Sequence, residues 1–220
     1  MFTYGQFCSV ARGLEVLGER WTLLIVRELL MGSTRFSDLQ RGLPSIPRAT
    51  LSSRLRGLES AGIVDRVDDG YRLTDAGVAL APVLREIATW TSAQAKQSLR
   101  PEHLDTELLS WDMRRRVDVE RLPSKPVVVA FDFEDRRAND RYFWLHLSRT
   151  QVDLCRTDTG AGTDLWVKSR LEPMTRWWLG QITWPNLLRH HDVRVDGPAP
   201  LRRQFPTWFQ GYVFAETPAV

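Results

Sequence analysis

"TLSSRLRGLE", residues 50–59, decides how the first part of this chain folds. Leu51, Leu55 and Leu58 fall at i, i+4 and i+7, the spacing of one apolar helix face. With that face set against a core, Ala49, Thr50, Ser52, Ser53 and Arg56 turn outward and Arg48 projects from the first turn. An ordinary surface helix mixes Glu with Lys at such positions. Here Leu39 to Leu58 holds four arginines, Arg41, Arg48, Arg54 and Arg56, and no acid. Small hydroxyls let a backbone come close to a partner, and Arg bonds phosphate or guanine through two parallel N–H groups.

Outward from this stretch the pattern stays helical, then changes. "LEVLGERWTLLIVRELLMG" reads as one long helix ended at Gly32, and "FSDLQRGLP" as a shorter one, with Phe36, Leu39 and Leu43 inward, stopped at Pro44. "SIPRATLSSRLRGLESAG" follows, with Pro47 in its first turn and Gly62 at its end. "IVDRVDDGYRLT" puts Asp68-Asp69-Gly70 between β-branched runs, a hairpin signal. From Asp75 to about Leu99 helical spacing returns, with Leu80, Leu84, Ile87 and Trp90 in the stripe and Pro82 starting or kinking the element. Helix, turn, helix and hairpin is the order of a winged helix-turn-helix, whose second helix enters the DNA major groove.

Past "RPEH" seven of the nine tryptophans appear, along with the strand-like runs "PVVVAFDFED", "RYFWLHLS", "QVDLCRTD", "DLWVKSR" and "VRVDG". A second domain therefore begins beyond a boundary near residues 99–106, and the fold class is α+β. "EPMTRWWLGQ", "WPNLLRHH" and "LRRQFPTWF" read as short helices, and "MRRR", 113–116, as a solvated helix end.

Composition sets the outer bounds. At 220 residues, 43% hydrophobic and 26% charged, the chain suits two soluble domains, here 1–99 and 107–220. No window reaches the roughly 18 apolar residues of a membrane span, which points to a cytoplasmic protein with no membrane partner. Net charge is +3, with 27 Arg against three Lys, a weak sign of an acidic partner. Cys8 and Cys155 match no metal-ligand spacing, His190-His191 is not an i, i+4 pair, and no Gly-rich phosphate loop or nucleophile elbow is present. The expectation is a protein that is not an enzyme and needs no metal or cofactor.

"CSVARGLEVLGERWTLLIVRELLMG", "RFSDLQRGLPSIPRATLSSRLRGLESAGIVDR" and "YRLTDAGVALAPVLREIATW" closely resemble, in order, the HxlR-type winged helix-turn-helix transcriptional regulators of bacteria. The resemblance implies a homodimer joined through the terminal helices of this domain and bound to double-stranded DNA. It implies contacts from Arg35, Arg48, Thr50, Ser52, Ser53 and Arg56, and from Arg66 and Arg72 in the wing. The sequence departs from the family at Ser9, Pro47 and Ala49, so an operator sequence does not carry over. Cys8 matches a cysteine that some of these regulators use in redox sensing, yet nothing beside it in sequence marks a lowered pKa, and a structural thiol is the simpler reading.

The stretch from Asp164 to Phe209 resembles the C-terminal part of a sterol-carrier-protein type domain. That implies a sheet covered by helices over an apolar cavity holding a hydrophobic small-molecule effector. Its candidate lining is Phe131, Phe133, Phe143, Leu145 and Trp166 from strands, with Met174, Trp178, Leu179 and Leu187 from helices. Two roles follow for the second domain: it binds an effector that resets DNA binding, or it is structural or dimerising while control runs through Cys8 or another route.

Overall fold

A computed structural model describes residues 3–94 and 99–214, which fall into two units dividing between Thr91 and Ser92. In the first unit α1 (Ser9–Leu17) and α2 (Thr22–Leu30) replace the single long helix expected from the sequence. The break lies at "GERW". Gly18 closes α1 by donating to the Leu14 carbonyl at 2.8 Å, and Trp21 sits at φ 81° just before α2. Periodicity alone runs through such a corner, because the apolar residues keep their phase on both sides of it.

Next come α3 (Phe36–Gly42) and α4 (Arg48–Ser60). Leu51, Leu55 and Leu58 of α4 are buried as their spacing requires, beside Ile25, Val26 and Leu39. Pro47 precedes α4 as its cap residue instead of lying in the first turn. Gly32 and Gly62 take φ 88° and 68° after α2 and α4, the left-handed conformation that ends helices. A buried charge completes this core: Glu28 accepts from the Arg27 guanidinium at 2.6 Å. A Cβ on Gly42 would lie 1.9 Å from Glu28 Oε2, so the close approach itself requires glycine there.

β1 (Val64–Val67) and β2 (Gly70–Leu73) form the hairpin, with Asp65 opposite Arg72 and Arg66 opposite Tyr71. Thr74 fixes its exit, donating to the Gly62 carbonyl at 2.7 Å and accepting from the Gly77 amide at 3.1 Å to cap α5 (Asp75–Val78). A separate helix, α6 (Ala81–Gln94), then begins beside Pro82. Of the stripe expected there, Leu84 is buried, but Ile87 and Trp90 are exposed and join Val83 at i, i+4 and i+7 on an outward face. Residues 95–98, the end of the expected helix, lie outside the described residues.

The second unit opens with α7 (Thr106–Arg115), capped by Asp105. "MRRR" is not solvated: Met113 is buried, the largely buried Arg115 guanidinium pairs with Asp112, and Arg116 donates to the Gly211 carbonyl at 3.1 Å. The sheet has the order β5-β4-β3-β6-β7 and is antiparallel except between β3 and β6. Its strands are β3 (Val127–Phe133), β4 (Tyr142–Leu147), β5 (Val152–Cys155), β6 (Leu165–Ser169) and β7 (Val193–Asp196), with the short α8 (Ala138–Arg141) before β4. α9 (Leu171–Trp178), α10 (Trp184–Arg189) and α11 (Ala199–Gln204) supply the helical cover.

Alternation on β3 and β4 sends Phe131, Phe133, Phe143 and Leu145 to the covered face. There Phe131 and Phe143 stack at 4.2 Å, and Trp177 packs against Trp184 at 4.9 Å and Phe209 at 6.0 Å. Among the described residues no helix is long and apolar enough to cross a membrane, and no group of three or more His, Cys, Asp or Glu is placed to hold a metal ion.

Candidate nucleic-acid interface

Burying the three leucines of α4 leaves Arg48, Ala49, Ser53 and Arg56 exposed, with Thr50 and Ser52 half-buried beside them. Arg56 Nη1 donates to Ser52 Oγ at 3.0 Å, which aligns one guanidinium along the outward face. The Arg48 guanidinium lies 5.2 Å over the Phe36 ring, at the head of α3. Arg54 is different: it pairs with Glu19 and donates to the Arg20 carbonyl at 3.2 Å, tying α4 to the corner between α1 and α2. Of the four arginines between Leu39 and Leu58, Arg54 therefore serves the fold.

The hairpin is anchored where it meets the start of α3. The Tyr71 amide donates to the Thr34 carbonyl at 2.8 Å. A Cβ on Gly70 would lie 2.3 Å from that same oxygen. Arg35 pairs with Asp69 at 2.6 Å, so it offsets an acid at the tip instead of standing free. Arg72 pairs with Asp65 across the strands at 3.2 Å, whereas Arg66 leans over the Tyr71 ring at 5.8 Å. In the sequence these arginines look equal. Among the described residues Arg66 is the wing cation with no carboxylate attached, since Arg35 and Arg72 each hold one.

Cys8 lies at the head of α1 and is exposed. The backbone N–H groups at the start of α1, Ala11 first and then Val10, pull its thiol below the ordinary pKa. That helix start is what the sequence reading of Cys8 did not include.

In the second unit the expected effector residues separate. Phe131, Phe133, Phe143, Leu145, Met174, Trp178 and Leu187 are all buried in one packed core, and Leu179 is half-buried where α9 ends. These side chains fill the space between sheet and helices with one another, because the tryptophans of α9 and α10 reach the face where a cavity was expected. Trp166 lies elsewhere, lining a hollow on the opposite face of the sheet. That hollow, about 390 Å³, is bounded by Asp132, Tyr142, Trp144, Trp166, Lys168 and Asp196. Its charges are engaged: Asp132 takes both Arg141 Nε at 2.5 Å and Nη2 at 3.0 Å, and Asp196 holds Lys168 and Arg194. A second hollow lies between α10, β7 and α11, and its Leu188, Arg202 and Arg203 had no place in the sequence reading. The signal was there in "LRRQ", two adjacent arginines with no acid within four residues.

Residues 16–99 match the sequence model of the HxlR-like helix-turn-helix family. The chain is 42% identical over 101 residues to an uncharacterized HTH-type transcriptional regulator, YvaP, of Bacillus subtilis (strain 168), a match covering 43% of this chain and 90% of that protein. It is 49% identical over 89 residues to an uncharacterized HTH-type transcriptional regulator of Mycobacterium tuberculosis (strain ATCC 25618 / H37Rv), covering 37% of this chain and 56% of that protein. The chain thus spans about half the length of the mycobacterial relatives it matches. Among solved structures, quinone-bound YodB from B. subtilis is 34% identical, with 38% of this chain and 96% of that chain covered and a TM-score of 0.36.

Proposed function

This chain belongs to the HxlR-like family of helix-turn-helix transcriptional regulators, and from that premise we propose that it binds a palindromic operator as a cytoplasmic homodimer and that a small molecule held by its second unit changes that binding. The observation that carries the first part is the outward face of α4, where Arg48, Ser53 and Arg56 stand over a buried leucine face. In this reading α4 enters the major groove, with Arg48, Thr50, Ser52, Ser53 and Arg56 toward bases and phosphates. Arg66 reaches the backbone from the wing, and Arg35 and Arg72 do so after sharing their charge with Asp69 and Asp65.

Dimerisation is supported by apolar side chains left in solvent. Phe7 is 98% exposed, Val10 69% and Trp90 67%, and Ile87 and Val83 continue the stripe along α6. Side chains of that size find cover on a second copy. Selection of bound duplexes from a random pool tests the reading. We expect an inverted repeat whose half-sites lie about one helical turn, 34 Å, apart, with selection abolished in Arg48→Ala/Arg56→Ala. A single unrepeated site would exclude the symmetric dimer.

A second route of control is favoured by Cys8, whose thiol is exposed and lowered by the start of α1. Solved relatives include a redox regulator, HypR, in its reduced and oxidized forms. In this reading the thiolate of Cys8 is the sensor and the second unit a structural module. Alkylation of Cys8 followed against pH should reach half its maximal rate below the ordinary thiol range, and alkylated protein should lose operator affinity. Unchanged affinity after full alkylation would remove the thiol route.

A further inference from the structure

The second unit satisfies its charges and covers its apolar side chains almost everywhere that it is described. Arg115, Arg121, Arg136, Arg141, Arg156, Arg170, Arg176 and Arg194 each hold a carboxylate. Four exposed cations have no ion pair, side-chain hydrogen bond or ring contact among the described residues: Lys125, Arg137 and the neighbours Arg202 and Arg203 on α11. The same is true of apolar surface. Among the described residues of this unit Leu188 is the large hydrophobic side chain left open, at 45% exposure.

Three of these exceptions meet in one place. Arg202, Arg203 and Leu188 line a single hollow of about 540 Å³ with Trp184, Val195 and Ala199. That volume is in the range of small-molecule sites. Its back wall is rigid, because Trp184 is held between Trp177 at 4.9 Å and Phe205 at 5.2 Å. The hollow on the opposite face of the sheet differs in the one respect that matters for a charged ligand, since its lysine and carboxylates are already paired.

We propose that the hollow between α10, β7 and α11 binds a free amphipathic anion, its acyl or aromatic tail against Trp184, Leu188 and Val195 and its carboxylate or phosphate between Arg202 and Arg203. Two guanidinium groups at the mouth supply donors in the fork geometry that such head groups accept. The apolar wall behind them gives the tail a dry seat. This rests on the reading of the second unit as an effector module only for its consequence on DNA, and binding itself is measurable without DNA.

The test is calorimetric titration of the full-length protein with decanoate, 1-decanol and anionic phosphatidylglycerol vesicles. Decanoate should bind one per chain and saturate, and Arg202→Ala/Arg203→Ala should weaken it about tenfold or more, the size expected for charge-assisted hydrogen bonds. 1-Decanol should bind the unaltered protein about tenfold more weakly than decanoate, and equally in the double variant. Equal affinity for decanoate and decanol, or no loss in the double variant, would overturn the site. Arginine-dependent binding to vesicles without binding of free decanoate would overturn it in favour of a membrane surface. Saturable, arginine-dependent binding of decanoate that leaves operator affinity unchanged would uphold the site and dismiss the effector reading alone.

Discussion

The two units treat their apolar side chains in opposite ways. In the second, Trp177, Trp178, Trp184 and Trp208 are buried with Phe131, Phe143 and Phe205, and Leu188 is the large exception. In the smaller first unit, Phe7, Val10, Leu14, Val83, Ile87 and Trp90 remain exposed around a core of leucines and isoleucines. A sheet with helices on one face can close over its own aromatics, whereas α2 to α5 and a hairpin have too little mass to cover α1 and α6 as well. In the dimer we propose, the first unit is completed by another surface, whereas the second completes itself.

The largest effect should follow from opening the closed core. Trp177 touches Trp178, Trp184, Phe205 and Phe209, so Trp177→Ala removes a central filler and should cost the second unit about 3–5 kcal/mol. Urea unfolding with tryptophan fluorescence measures it. A loss under about 1 kcal/mol would mean that the aromatic cluster is adaptable surface and not a packed interior.

The open face of the first unit is broken differently. Ile87→Asp/Trp90→Asp puts charge on an outward face where little packing is lost within one chain, so folding should hold while self-association fails. Each apolar side chain withdrawn from a dimer contact removes about 1.5–3 kcal/mol of association free energy. Sedimentation equilibrium should report monomers and the operator should be bound more weakly. A dimer of unchanged strength would place the joining surface elsewhere and leave the contrast between the units without this explanation.

Much of this contrast was legible in the residues, and the failures have definite causes. The leucine face of α4, the Asp68-Asp69-Gly70 turn and the alternation of β3 and β4 are local signals, and each led to the element found there. The corner at Trp21 was not legible, because the apolar period stays in phase through it and the carbonyl that Arg54 holds is 34 residues away in sequence. Ile87 and Trp90 share an apolar stripe with Leu80 and Leu84 in the sequence, but periodicity identifies a stripe without saying whether this chain or another covers it. In the second unit the aromatic residues were recognised as belonging together, but whether they enclose space or fill it depends on how far Trp177 and Trp184 reach, which no spacing rule contains. Partners of arginines were the least legible feature. Asp65, Asp69 and Glu19 are ordinary acids in the sequence, yet they decide which cations already hold a carboxylate.

Charge sharpens the comparison at smaller amplitude. In the second unit the guanidinium groups mostly turn to carboxylates of the same chain, whereas Arg56 in the first, among the described residues, bonds only the neutral Ser52. If it reads a base edge, Arg56→Ala should weaken operator binding by about 1–3 kcal/mol and relax preference at one position in each half-site. Fluorescence anisotropy with operator and scrambled duplexes separates this from a phosphate contact, for which both affinities would fall together.

The smallest effect lies in the wing, where two arginines of equal formal charge have unequal surroundings. Arg72 faces Asp65 across the strands and pairs with it at 3.2 Å, while Arg66 has only the Tyr71 ring beneath it. Both Arg72 and Asp65 are more than half exposed, so their attraction is weak and screened by salt, but it still leaves the pair close to neutral as a phosphate finds it. Each phosphate neutralised by a cation adds about 0.9 to the slope of log affinity against log salt. Arg66→Ala should therefore lower the slope by about one unit per recognition site, and Arg72→Ala by clearly less. Asp65→Ala supplies the internal check, because freeing Arg72 should strengthen binding at low salt and steepen the slope. Equal slope changes for the two arginines, with no gain from Asp65→Ala, would show that the pair opens on contact with DNA and that the wing uses both cations alike.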